Sequence, residues 1–111
     1  MSRASMRTRV KVESQVESFV KSLAPEPRRR LSAAIKALAH NRGDIQRLEG
    51  KLQGYSRLRM AGHRVIFCER ADRGERIIDC VFAEKRALVY DLFVRLLSES
   101  IGHPGSQRFG A

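Results

Sequence analysis

Nowhere in the 111 residues does an apolar run approach the ~20 that a membrane-spanning helix needs, and no hydrophobic signal region opens the chain. These absences predict a cytoplasmic protein with no membrane partner. Cysteine is scarce: Cys68 and Cys80 are the two present, without a C-x-x-C motif or a histidine at ligand spacing. Neither a metal site nor a disulfide framework is indicated, and no cofactor motif stands out. Each cysteine has apolar neighbours (Ile66-Phe67-Cys68 and Ile78-Asp79-Cys80-Val81) and reads as a small strand residue. Acidic residues are also few, 12 Asp+Glu against 22 Lys+Arg, giving a formal net charge of +10. An isoelectric point near 10.8 favours a polyanionic partner or an acidic protein partner. Strand aromatics of the kind that stack RNA bases are missing, since Phe67 and Phe82 read as core.

A hydrophobic fraction of 42% over this length suffices for one domain with a single core. Residues 1–7 read as a basic, flexible lead-in, 8–98 as the domain and 99–111 as a mobile tail without periodicity. From Arg7 to Glu13, charged residues alternate with Thr8, Val10 and Val12, the period of a half-buried strand. Ser14-Gln15-Val16-Glu17 then has the form of a capping box, and Val16, Phe19, Val20 and Leu23 share one helical face. Pro25 and Pro27 start a second helix with the stripe Leu31, Ala34, Ile35, Leu38 and Ala39, closing at Asn41 to Gly43. Its run Arg28-Arg29-Arg30 reads first as a solvated face and second as an RNA or partner contact.

Asp44 to Gly54 reads as a connector anchored by Leu48 and Leu52. Three strands follow, with a tight turn at Ala61-Gly62 and a hairpin turn at Ala71-Asp72-Arg73-Gly74. Their short connections dictate an antiparallel meander. The two later strands are apolar on both faces, so both faces should be covered. A last helix, from about Arg86 to Ser98, carries the stripe Leu88, Val89, Leu92, Phe93, Leu96 and Leu97, with Tyr90 off its centre.

The chemistry-bearing residues gather between Gly54 and Phe93. Arg57 and Arg59 stand two apart on a strand and point to one face, and Arg64 opens the next strand. Such a guanidinium cluster binds phosphate. Tyr90, lying off the buried stripe, is either available for chemistry or a surface tyrosine covering the helix edge. His63 alternates away from Arg64 and reads as a turn or core-edge histidine.

The motifs RLRMAGHRVIF and FAEKRALVYDLF, the lead-in LEGKLQGYSRLR and the element order together resemble the RelE/ParE superfamily of bacterial type II toxins over roughly residues 8 to 97. The resemblance implies a RelE/ParE-like α+β fold: an N-terminal strand, a helical hairpin, a three-strand antiparallel meander and a C-terminal helix. It also implies a toxin neutralised by an acidic cognate antitoxin. RelE-like members are metal-independent endoribonucleases that cut mRNA on the ribosome, whereas ParE-like members poison DNA gyrase. Carried onto this sequence, the ribonuclease pattern makes Arg64, Arg86 and Tyr90 catalytic and Arg57, Arg59 and Lys85 RNA- or phosphate-binding. The pattern departs in its basic pair, which is Arg rather than Lys, in the short spacing from Arg86 to Tyr90, and in His63 where tyrosine is usual. Three readings follow: an mRNA endoribonuclease, a gyrase poison, and a non-catalytic nucleic-acid-binding module.

Overall fold

The computed structural model describes residues 7–85 and 88–102. The lead-in before Arg7, Arg86 and the tail beyond Gly102 lie outside the described residues. Strand β1 (Arg7–Val12) leads into α1 (Ser14–Lys21) and α2 (Pro25–Ala37), then β2 (Asp44–Arg47), β3 (Ser56–Met60), β4 (His63–Asp72), β5 (Glu75–Lys85) and α3 (Val89–Gly102). The sheet order is β1-β5-β4-β3-β2. Strands β2 to β5 pair antiparallel in succession, and β1 lies parallel to β5 at one edge. The expected α+β architecture and its meander are present, with one correction. The segment taken as a connector begins with a strand, so the meander has four members and the sheet five. Four residues without apolar alternation, all exposed, leave no period-2 hydrophobic signal to read.

The strand-to-strand register assigns each side chain to a face. Leu58, Val65, Phe67, Ile78, Cys80 and Ala83 meet Val16, Leu31, Ile35 and Leu38 of the helical hairpin in one buried cluster. On the opposite face Ile66 and Phe82 meet Val89 and Phe93 of α3, with Leu52 closing the side. Both faces are thus covered, as two-sided apolar strands require. The hairpin helices use the expected stripes, and Leu48 and Leu52 are anchored in the second cluster.

Local chemistry departs from expectation at three places. Ser14 is already helical and Glu13 is the N-cap, without a side-chain cap. Gln15 instead reaches β5, where its amide accepts from the Ala83 N–H and donates to the Ala83 carbonyl, both at 2.7 Å. It takes over as a strand partner where β1 has turned away. Leu88, expected on the apolar stripe, is 50% exposed because it precedes the first turn of α3. That helix starts at Val89 rather than near Arg86 and continues past Ser98 to Gly102.

Candidate nucleic-acid interface

Arg57, Arg59 and Arg64 share the sheet face on which α3 lies. The register runs Asp44 opposite Arg59, Arg59 opposite Arg64, and Arg64 opposite Glu84, so two arginines stand side by side between two carboxylates. Like charges directly opposite on neighbouring strands repel, and the flanking acids offset that repulsion. Arg64 is half-buried and folds back on its own turn, its Nη1 donating to the carbonyls of Ala61 at 3.3 Å and His63 at 3.2 Å. Ala61 holds a left-handed φ of 55°, so the guanidinium clasps a strained corner. Among the described residues Arg64 has no ion-pair partner.

The basic pair on β3 is unequal. The Arg57 side chain is only 11% exposed. Its Nη1 donates to the Asp44 carbonyl at 3.2 Å and to Asp44 Oδ1 at 3.3 Å, and its Nη2 to Gln46 Oε1 at 2.6 Å. That guanidinium is occupied. Arg59 is half exposed and donates through Nε to Asp44 Oδ2 at 2.6 Å, which leaves both of its Nη groups without a protein partner among the described residues. Hydrogen bonding from Arg59 is the main reason the Asp44 carboxyl sits below the usual carboxylate range, with Arg57 adding to it and burial opposing. Asp44, Gln46 and Glu84 are the residues that sequence reasoning missed here. Their role depends on β2 and on strand pairing, neither of which a single acidic residue announces. Gly43 seats β2: at its φ of 123° a Cβ would lie 2.9 Å from Leu58 Cδ1.

The remaining candidates divide. Tyr90 opens α3 on the arginine face, half-buried, its ring packed against the second core cluster. Lys85 is exposed and pairs with His63, which the alternation places on the opposite face from Arg64. His63 packs its ring edge-on against Phe19, centroids 5.5 Å apart, as a core-edge histidine would. On α2, Arg29 and Arg30 pair with Glu26, and Arg28 donates to the Leu23 carbonyl, which fits a solvated helix face. Among the described residues no group of three His, Cys, Asp or Glu is gathered to hold a metal.

No protein-family model matches the sequence, and no curated protein matches it significantly. Solved structures do. A YoeB/ParE toxin from Agrobacterium tumefaciens superposes with a TM-score of 0.55 at 16% identity, over 70% of this chain and 98% of that one. The RelB–RelE antitoxin–toxin complex of Methanococcus jannaschii gives 0.52 at 18% identity, over 75% and 98%. The RelBE2 toxin–antitoxin complex of Mycobacterium tuberculosis gives 0.50 at 18% identity, over 75% and 95%. With its edge strand, helical hairpin, antiparallel meander and C-terminal helix, this chain has the RelE/ParE toxin fold.

Proposed function

We propose that the protein is the toxin of a toxin–antitoxin pair and acts in the cytoplasm as an mRNA endoribonuclease. The observation that carries this reading is the juxtaposition of Arg59 and Arg64, each with guanidinium nitrogens left for a ligand, on the face that also bears Tyr90. Two forks side by side match the oxygens of a phosphodiester. In the reaction the RNA 2′-oxygen attacks the adjacent phosphorus as its proton passes to Tyr90 in its phenolate form, which later returns that proton to solvent. The guanidiniums stabilise charge on the phosphorane oxygens. The P–O5′ bond then breaks, solvent protonates the 5′-oxygen, and a 2′,3′-cyclic phosphate remains. Arg86 is assigned to the same charge stabilisation on the family resemblance alone. Arg57, with its hydrogen bonds already made, supports the site rather than touching RNA, and Lys85 serves at most as a peripheral phosphate contact. An acidic antitoxin segment is the partner that best matches the uncovered cations.

A second reading, a gyrase poison, draws on the ion pairing of the β3 arginines and the half-buried ring of Tyr90, which suit a protein-binding surface as well as a cleavage centre. Mapping RNA 5′-ends in cells after brief induction, with gyrase-linked DNA breaks assayed in parallel, separates the two. New 5′-ends without DNA breaks are expected; DNA breaks without new 5′-ends overturn the nuclease.

A further inference from the structure

The geometry points to Asp44 as a positioning residue that holds the Arg59 fork ready for phosphate, an inference that rests on the nuclease reading of this face. The four side chains form a relay. Gln46 Oε1 fixes Arg57 Nη2 at 2.6 Å, Arg57 Nη1 holds Asp44 Oδ1 at 3.3 Å, and Asp44 Oδ2 takes Arg59 Nε at 2.6 Å. Gln46 is exposed, Arg57 is the buried member with its side chain 11% exposed, and exposure then rises to 43% at Asp44 and 50% at Arg59. Arg57 is therefore structural and Arg59 faces solvent.

The bond to Asp44 uses the one nitrogen of Arg59 that lies along its stem, so the terminal pair stays free to grip a phosphate. An arginine stem has many rotamers, and fixing it before RNA arrives lowers the ordering needed at the transition state. Asp44 also lets Arg59 remain opposite Arg64 despite their like charge. Without the carboxylate the two guanidiniums are free to splay apart.

A positioning role and a purely electrostatic one make opposite predictions for Asp44→Asn. Removing a negative charge beside a phosphate site strengthens plain attraction to RNA. If charge were all that mattered, cleavage would hold or improve. Under positioning, the variant binds a short single-stranded RNA, free or on ribosomes, at least as tightly as the native protein. It nevertheless cleaves that RNA about 10- to 100-fold more slowly, as a displaced catalytic group implies. Asp44→Glu, which keeps the carboxylate on a longer stem, recovers part of the rate. Cleavage by Asp44→Asn at the native rate overturns the inference while leaving the nuclease reading intact. An arm without RNA separates the other case: side-chain nitrogen NMR should show an Arg59 Nε–H slow to exchange in the native protein and fast in Asp44→Asn. If that signal is the same in both, positioning fails whatever the target. If it differs while the native protein cuts no RNA, the relay stands and the nuclease reading falls.

Discussion

Asp79 is the least comfortable residue of the sheet. It lies on β5 between Lys11 of β1 and Cys68 of β4. Its Oδ1 is buried without a partner among the described residues, and Arg70 Nε stays 3.9 Å from Oδ2. Burial is the main cause that pushes its carboxyl up to about 6; a hydrogen bond with Glu13 and the charge of Glu13 add to the rise, while Lys11 and Arg70 oppose it. Because the folded-state value is raised above the ordinary 3.8, the stability gained from the protonated acid is complete below about pH 4 and is lost as pH rises through 6. Asp79→Asn, a permanent mimic of the neutral acid, should therefore gain progressively in stability on the native protein as pH rises from about 4 to about 7.5. Denaturant midpoints at both ends of that range test it, and an unchanged difference would show Asp79 to be ionised throughout. Tyr90 offers the opposite kind of test. Its hydroxyl has no protein hydrogen bond among the described residues, so Tyr90→Phe should leave the melting temperature unaltered. If Tyr90 takes the 2′-proton as its phenolate, RNA cleavage should fall by the ~10²–10⁴ typical of losing acid–base help. Native-like cleavage by the Phe variant removes Tyr90 from the reaction.

Among the elements, those with strong periodicity were legible in the sequence. The stripes Val16-Phe19-Val20-Leu23 and Leu31-Ala34-Ile35-Leu38 pack as the 3.6-residue period requires. The β4–β5 hairpin turns at Arg73 and Gly74, both at positive φ, as a tight hairpin demands. Strand β2 was not legible, because it owes its place to cross-strand polar pairs rather than to burial. The same blind spot hid the site's carboxylates: that Arg57 and Arg59 share a face follows from alternation, but what answers their charge comes from a strand with no signal of its own. The role of Gln15 was hidden for a related reason. Its segment has the sequence of a capping box that the structure does not form, and its amide instead serves the edge of β5 beyond the end of β1. Ala83 is fully buried, so Gln15→Ala leaves its N–H and carbonyl short of partners. The expected cost is about 2 kcal/mol of global stability, in the range for stranded buried polar groups, with faster exchange of the Ala83 amide. A native denaturation midpoint in that variant would mean that water replaces the glutamine without penalty.

At the scale of the whole molecule the question is where the excess of ten positive charges acts. Many cations are already answered, Arg9 by Glu75, Lys21 by Glu17 and Arg76 by Glu69, but exposed pairs of this kind contribute little and open readily for a stronger anion. β1 lays Arg7, Arg9 and Lys11 on the same sheet face but at its far edge, across strands β5 and β4 on which α3 packs, so the Arg59–Arg64 clamp stands apart from them. Each phosphate the protein neutralises releases counterions, and the slope of binding against salt counts those contacts. Binding to RNA or ribosomes should accordingly weaken by several orders of magnitude between about 50 and 200 mM salt if some six or more phosphates are engaged. Arg59→Ala and Arg64→Ala should each make the slope shallower by about one contact, whereas Arg57→Ala, whose guanidinium faces Asp44 and Gln46, should lower stability and leave the slope nearly unchanged. The contrast separates a clamp from a diffuse field, because a diffuse field would respond equally to the loss of any exposed arginine. A flat salt response in the native protein would place the charge in the service of an acidic protein partner instead, and the arginine face would then be a surface for that partner rather than for RNA.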